Sequence, residues 1–255
     1  METYNNFAFV YNNLMEDTPY DQWYKFITNS LKQYNILPKI ICDLGAGTGV
    51  MCEKFATSNN NLEIIGIDNS SEMLSIATAS AVDKNLNILY LNQNITDFEL
   101  YGTVDLIYST CDSLNYILEE AELFKIFQLV NNYLEPNGLF IFDISTKYKY
   151  EEILSDKTFV NQTDDASYIW ENYYDEDERI NEFAVTFFIK EENDLYKKTE
   201  EFHYQKAYEI EQIKTLLEKA GLIVLGIFDN YTNTPCTDTT TRATFIAKEI
   251  KKTMI

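Results

Sequence analysis

The sequence predicts an α/β fold, a mostly parallel seven-stranded sheet with helices on both faces, helices at the N-terminal side and an inserted antiparallel sheet. Three observations predict it. Short apolar runs alternate with helical periodicities from about Ile40 to Asp143. A glycine-rich segment, Gly45-Ala46-Gly47-Thr48-Gly49, joins the first of these runs to a helix. Near Tyr168 the alternation gives way to long segments of period-two patterning.

Taken in order, Phe7, Val10, Tyr11 and Leu14, then Trp23, Phe26, Ile27 and Leu31, recur at helical spacing on either side of a break at Pro19. Ile40 to Leu44 is a short apolar strand, followed by the glycine loop and a helix from about Val50 to Thr57. Leu62 to Asp68 forms a second strand. Asn69 with Glu72 then reads as a helix cap with its reciprocal acid, opening a helix that runs to about Val82. Asn87 to Leu91 and Val104 to Ser109 supply the third and fourth strands. The stripe Leu123, Phe124, Phe127 and Val130 marks a helix over 119–134, Pro136-Asn137-Gly138 a turn, and Leu139 to Asp143 the fifth strand. In Arg179 to Lys190 the residues Phe183, Val185, Phe187 and Ile189 share one face, while Asp175 to Glu178 and Glu191 to Asp194 read as connecting turns. A helix over 209–220, stopped by Gly221, precedes two last strands, Leu222 to Asp229 and Ala243 to Lys248. The expected organisation is a helical cap over 1–38, an α/β unit built from 39–145 and 209–255, and an inserted sheet over 146–208.

Composition narrows the function. The chain has 255 residues and a net charge of −21, from 20 Lys and Arg against 41 Asp and Glu. Such a field repels a phosphate backbone and disfavours a nucleic-acid partner. It favours solubility and steers cations inward. Four scattered cysteines without a CxxC pair read as reduced thiols, and a single histidine, His203, argues against a metal site of the usual spacing. The first residues, Met1-Glu2-Thr3-Tyr4-Asn5, lack the features of a secretory signal, and no apolar run matches a bilayer, so the expected place is the cytoplasm, as monomer or homodimer.

The glycine loop carries the chemistry. No Gly-Lys-Ser/Thr ends it, which excludes a Walker A loop. The dinucleotide fingerprint is G-x-G-x-x-G, and here Val50 stands where its third glycine falls. Asp68, at the end of the second strand, lies at the distance at which an acid reaches a ribose hydroxyl. His203 lies in Glu200-Glu201-Phe202-His203-Tyr204-Gln205. Alternation puts it on one face with Thr199, Glu201 and Gln205, a face that is either solvated or a roof over the site. As the lone histidine it is the obvious base near neutral pH, or else a solvated side chain. Arg242 reads as a holder of an anionic substrate or, the favoured reading, as balancing the acidic surface.

The segment Asp43-Leu44-Gly45-Ala46-Gly47-Thr48-Gly49 resembles motif I of class I S-adenosylmethionine (SAM)-dependent methyltransferases, which have a Rossmann-like fold. The resemblance implies SAM as cofactor and no metal. It puts Gly45, Ala46, Gly47 and Asn69 at SAM, Asp68 at its ribose, and Met73 near the adenine. In Leu91-Asn92-Gln93-Asn94-Ile95, Asn94 stands where the family commonly has an Asp that accepts from the adenine amine, flanked by Gln93 and Ile95. The stretch Ser109-Thr110-Cys111-Asp112-Ser113-Leu114-Asn115-Tyr116 is similar to that of small-molecule methyltransferases, including sugar amine N-methyltransferases, and puts Cys111 beside SAM. Tyr116 replaces a histidine that in some of them contacts the substrate amine. It is read either as catalytic or as a packing aromatic. Phe7 to Tyr11, Pro19 to Trp23, Cys111 to Tyr116, Phe142-Asp143-Ile144 and Tyr168 to Glu171 resemble a Firmicute family of small-molecule methyltransferases. By that resemblance Tyr11 and Trp23 close over the methionine end of SAM, although both also fit a core. The implied activity is methyl transfer to a nitrogen or oxygen of a small molecule, with His203 or Tyr116 as base and the inserted sheet shaping the acceptor side. A nicotinamide-dependent oxidoreductase and a SAM-binding protein without catalysis stay open at this point.

Overall fold

The computed structural model describes residues 15, 17–162, 166–191 and 195–252. The segment 7–14, with Tyr11, and the turn residues 192–194 lie outside them.

Eleven strands and five helices are present among the described residues, with two short helical turns. The strands β1 (Ile40–Leu44), β2 (Glu63–Asp68), β3 (Leu89–Asn92), β4 (Val104–Ser109), β5 (Leu134–Ser145), β10 (Leu222–Asp229) and β11 (Arg242–Glu249) form one sheet, in the order β10-β11-β5-β4-β1-β2-β3. Every pairing from β3 to β5 is parallel, and β11 runs antiparallel to both β5 and β10. The order reverses between β1 and its two neighbours β2 and β4, and it is beyond the carboxyl ends of strands at such a switch point that open α/β sheets take their ligands.

The helices cover both faces. In α1 (Tyr20–Gln33) the buried residues Trp23, Phe26, Ile27 and Leu31 recur at the spacing of one helical stripe. They pack with Met51, Cys52 and Phe55 of α2 (Val50–Ser58) against Ile41, Leu106 and Ile141 of the sheet. On the other face, Leu123, Ile126, Phe127 and Val130 of α4 (Glu120–Tyr133) meet Ile213, Leu216 and Leu217 of α5 (Ile210–Lys219) over Phe140, Phe142 and Phe245. Phe142 and Phe245 are opposed across β5 and β11, with ring centroids 4.9 Å apart. Such an aromatic pair adds about 0.5–1.5 kcal/mol beyond its area. Gly221, at φ +83, ends α5 in the left-handed conformation that glycine adopts without steric cost.

A second sheet follows β5. Strands β6 (Thr158–Gln162), β7 (Ala166–Asp175), β8 (Ile180–Lys190) and β9 (Tyr196–Lys206) form an antiparallel meander in that order. Phe183, Val185, Phe187 and Ile189 share one face of β8, as the alternation predicts, with Phe183 and Phe187 buried.

Four local readings need correction. The cap of α3 (Ser71–Asp83) is Ser70, whose hydroxyl accepts from the Met73 N–H at 3.2 Å, and not Asn69. The third strand starts two residues later than expected, at Leu89. Pro136-Asn137-Gly138 is an irregularity inside β5, where the register against β4 shifts, and not a turn between separate elements. Within the inserted segment, a π-helical turn, Lys149–Leu154, and the strand β6 precede the period-two patterning that begins near Tyr168.

Candidate active site

The loop after β1 folds tightly against β2. The N–H groups of Gly45 and Ala46 donate to the Ile67 carbonyl at 2.8 and 2.9 Å. The Gly47 N–H donates to Asp68 Oδ2 at 2.8 Å. Gly47 has φ +54, and a Cβ built on it would meet no atom within 4 Å, so its backbone borders open space. Gly45 differs: at φ +83, its Cβ would lie 2.6 Å from Ser113 Oγ. The loop is therefore held between β2 and the segment that follows β4.

Asp68 is pinned from two sides, since its Oδ1 also accepts from the Ser70 N–H at 2.9 Å. Burial raises its pKa, while the N–H groups of Ser70, Gly47 and Asn69 work in the opposite direction. Asn69 itself is exposed. Met73 is buried on the first turn of α3.

The 93–95 segment joins at the end of β3. The Gln93 N–H donates to the Asp68 carbonyl at 3.1 Å. Its side chain bonds the backbone of Glu99, with Glu99 N–H to Oε1 at 2.8 Å. Asn94 is exposed, and its Oδ1 accepts from the Thr96 N–H at 3.0 Å, which fixes the amide locally. Ile95 is half-buried against the core.

The segment after β4 takes an unusual backbone. Cys111 (φ 63) and Asp112 (φ 50) are both left-handed, and a short helical turn, Ser113–Tyr116, follows. Side chains hold this strained path. The Asp112 N–H donates to Asp143 Oδ2 at 3.0 Å. Asn115, fully buried, donates to the carbonyls of Ser145 and Lys206 and accepts from the Ser145 N–H. Cys111 is half-buried beside the core residues of the α1 face.

Arg242 is no surface charge. Its guanidinium bridges Asp112 Oδ1, at 2.6 Å, and Asp143 Oδ2, with only 15% of its side chain exposed. It also sits 5.3 Å from the centroid of the Trp23 ring. Trp23 is 2% exposed and stacks on Tyr231 at 5.1 Å, so the cation at its face is the chain's own. Tyr231 donates its hydroxyl to Asp143 Oδ1 at 2.6 Å. Burial opposes ionisation of Asp112, but Arg242 and Lys149 overcome it and hold that carboxyl well below the usual range.

The inserted sheet reaches this network through β9. Gln205 donates to Asp112 Oδ2 at 2.9 Å and accepts from the Tyr150 hydroxyl at 2.9 Å. Two residues back, the His203 ring lies edge-on to Tyr116, 5.9 Å between centroids. His203 Nε2 is 3.3 Å from Glu201 Oε2. The two candidate catalytic residues, distant in sequence, are thus neighbours. Asp43, beneath the glycine loop, is buried with its pKa pushed up to about 7 by loss of solvent. Sequence reasoning left Asp112 without a role and grouped Glu201 and Gln205 with His203 on one strand face without assigning them to the site. The strand alternation around His203 was the available signal for Glu201 and Gln205.

No described helix is long and apolar enough to cross a membrane. A family profile described as a methyltransferase domain matches residues 41–138, which include the glycine loop, Asp68 and the 111–116 turn. A Geobacillus sp. (strain WCH70) protein with a methyltransferase name is 36% identical over 97% of this chain and all of its own length. The Bacillus subtilis (strain 168) protein YqeM, also with a methyltransferase name, is 34% identical over 97% of this chain and 98% of its own. Among solved structures, a SAM-dependent methyltransferase from Clostridium acetobutylicum ATCC 824 superposes with a TM-score of 0.88 at 31% identity, covering 96% of this chain and 98% of that one. CalS10 from Micromonospora echinaspora, described as an amino pentose methyltransferase, shares the fold at a TM-score of 0.73 and 13% identity, covering 92% and 93%. With that glycine loop and acid, and with relatives aligned end to end, the chain belongs to the SAM-dependent methyltransferases.

Proposed function

We propose that the methyl acceptor is a small molecule with a nitrogen or oxygen nucleophile, bound between the 111–116 segment and the inner face of the four-stranded sheet. The observation that carries this reading is the edge-on pairing of Tyr116 and His203 beyond the end of β4. On this reading residues 39–145 and 209–255 bind the cofactor, 146–208 form the acceptor side, and 1–38 cap the site.

The residues present fit SAM. Asp68 offers a fixed carboxylate beside the open backbone at Gly47, and Met73, Asn94 and Ile95 supply an apolar and amide-lined flank. We assign Gly45, Ala46, Gly47, Asp68, Asn69, Met73, Gln93, Asn94, Ile95 and Cys111 to this cofactor. Trp23 we assign to the core, where Arg242 covers its face. When bound, SAM supplies a methyl group already activated by its sulfonium.

The chain's contribution is then position and proton management. The 111–116 turn, fixed by Asn115 and by the Arg242–Asp112 pair, sets where Tyr116 stands. In the neutral tautomer whose Nε2–H donates to Glu201, Nδ1 is the atom of His203 that takes a proton from an incoming nucleophile. Incubation with SAM carrying a labelled methyl group and a metabolite extract tests the reading. Label is expected in a small product, and His203→Ala is expected to slow its formation at least tenfold while SAM affinity stays within twofold. Label confined to protein or nucleic acid refutes the acceptor class, and an unchanged rate refutes the role of His203.

A further inference from the structure

Over residues 201–205 strand β9 has its polarity reversed. A strand with one face to solvent ordinarily turns its polar residues outward. Here Phe202 and Tyr204 face out, 57% and 44% exposed, while Glu201 and Gln205 are buried and His203 is nearly so. Gln205 has its partners in Tyr150 and Asp112. Glu201 does not. It is 2% exposed, its Oε2 meets His203, and its Oε1 has no hydrogen-bond partner.

A buried carboxylate oxygen without a partner is costly, which makes it informative. Its ionic partner among the described residues is His203, with no Lys or Arg paired to it. Four more buried polar atoms without partners lie on the same face: Thr199 Oγ1, two residues away on β9, and Trp170 Nε1, on the cross-strand row Glu201–Val185–Trp170, flank Glu201, while Asn181 Oδ1 and Tyr174 Oη lie on the row of Gln205. One patch therefore combines a carboxylate oxygen, a hydroxyl and an indole N–H. The carboxylate accepts only, so what completes it is a donor, and the best donor for a buried charge is a cation.

We propose that Glu201 recognises a positively charged acceptor: the substrate class is a small molecule bearing a protonated amine, whose N–H group donates to Glu201 Oε1, with Thr199 and Trp170 bonding its other polar substituents. This rests on the reading that the acceptor lies under β9. The acidity of the chain, −21 overall, acts in the same direction by concentrating cations. Glu201 is thereby a specificity residue for charge as well as the group that orients His203.

His203 is the single histidine of the chain, so its imidazole gives one unambiguous nuclear magnetic resonance signal. The protein is saturated with S-adenosylhomocysteine, and that signal is followed while ethanolamine, spermidine or glucosamine is added, against glycerol, N-acetylglucosamine and glucuronate. At least one amine is expected to shift it saturably, with Glu201→Gln weakening that amine at least tenfold and leaving S-adenosylhomocysteine affinity by calorimetry unchanged. Equal response to the neutral or anionic compounds, or undiminished amine binding in the variant, overturns the charge assignment while the acceptor location stands. Silence of His203 towards every compound overturns both. The comparison of amines with neutral compounds uses the unsubstituted protein and holds whatever the stability of the variant.

Discussion

Removing Arg242 should be the most damaging single truncation outside the apolar core. Its guanidinium lies between two carboxylates, Asp112 at 2.6 Å and the fully buried Asp143, and over the Trp23 ring. Arg242→Ala leaves both acids without their cation in a place where water cannot replace it. Breaking one side of a buried pair costs about 3–5 kcal/mol. For a chain of this length each kcal/mol moves Tm by about 2–4 °C, so a fall of roughly 10 °C is expected. The sign with pH follows from Asp112. Its folded pKa is depressed below the unfolded one, so its stabilising effect is complete above about pH 4 and is lost as pH falls through the folded value. The gap between wild type and variant should therefore be widest at neutral pH and close in acid. Thermal melts at pH 7 and in a series stepped down to about pH 2, by circular dichroism, read both quantities, because the loss runs from the ordinary carboxylate range down to the depressed folded value. A fall below 2 °C at pH 7, or a gap that does not shrink in acid, refutes the account of Arg242 as the counterion of this cluster.

Two loop glycines should separate stability from binding. Gly47→Ala meets no atom, so the left-handed φ costs about 1–2 kcal/mol and the new methyl occupies the open space assigned to SAM. SAM affinity by calorimetry should drop at least tenfold with a Tm change of a few degrees. Gly45→Ala drives a methyl into Ser113 and should lower Tm more than Gly47→Ala, and the reverse order contradicts the packing. Asp68→Ala should weaken SAM at least tenfold, and an unchanged dissociation constant removes Asp68 from the cofactor. Asp43 has its folded pKa raised to about 7, so the folded state holds its proton more tightly and stability is lost as pH rises from the unfolded value towards neutrality. Asp43→Asn should gain Tm relative to wild type at pH 8 compared with pH 5, and a constant difference refutes that burial effect.

The central sheet is legible because each of its strands is a short apolar run closed by a recognisable stop. Ile40 to Leu44 and Leu222 to Asp229 match their observed bounds residue for residue. Strand β6 escapes notice because Thr158 to Gln162 sits on an edge with little buried, so alternation has no hydrophobic signal to carry. The cap at α3 is ambiguous since Asn69 and Ser70 are both good capping residues, and only backbone geometry chooses between them. The cofactor side of the site is equally readable, because glycine spacing and Asp68 lie within one local stretch. The proposed acceptor side depends on pairings across 93 and 130 residues, Gln205 to Asp112 and Arg242 to Asp112, which no local pattern encodes. The face of β9 that alternation grouped correctly, Thr199 to Gln205, needed the fold to show that it points inward.

The Arg242–Asp112 contact also orders events in time. A ribosome delivers Asp112 long before Arg242, and the two left-handed residues Cys111 and Asp112 cannot keep their conformation cheaply without the later strand. A nascent chain lacking β11 should therefore hold β1 to β4 with their segment after Ser109 still disordered. Closing a contact over 130 residues is slow relative to local helix formation. The proposed acceptor side should consequently be completed last, when the glycine loop and Asp68 are already in place.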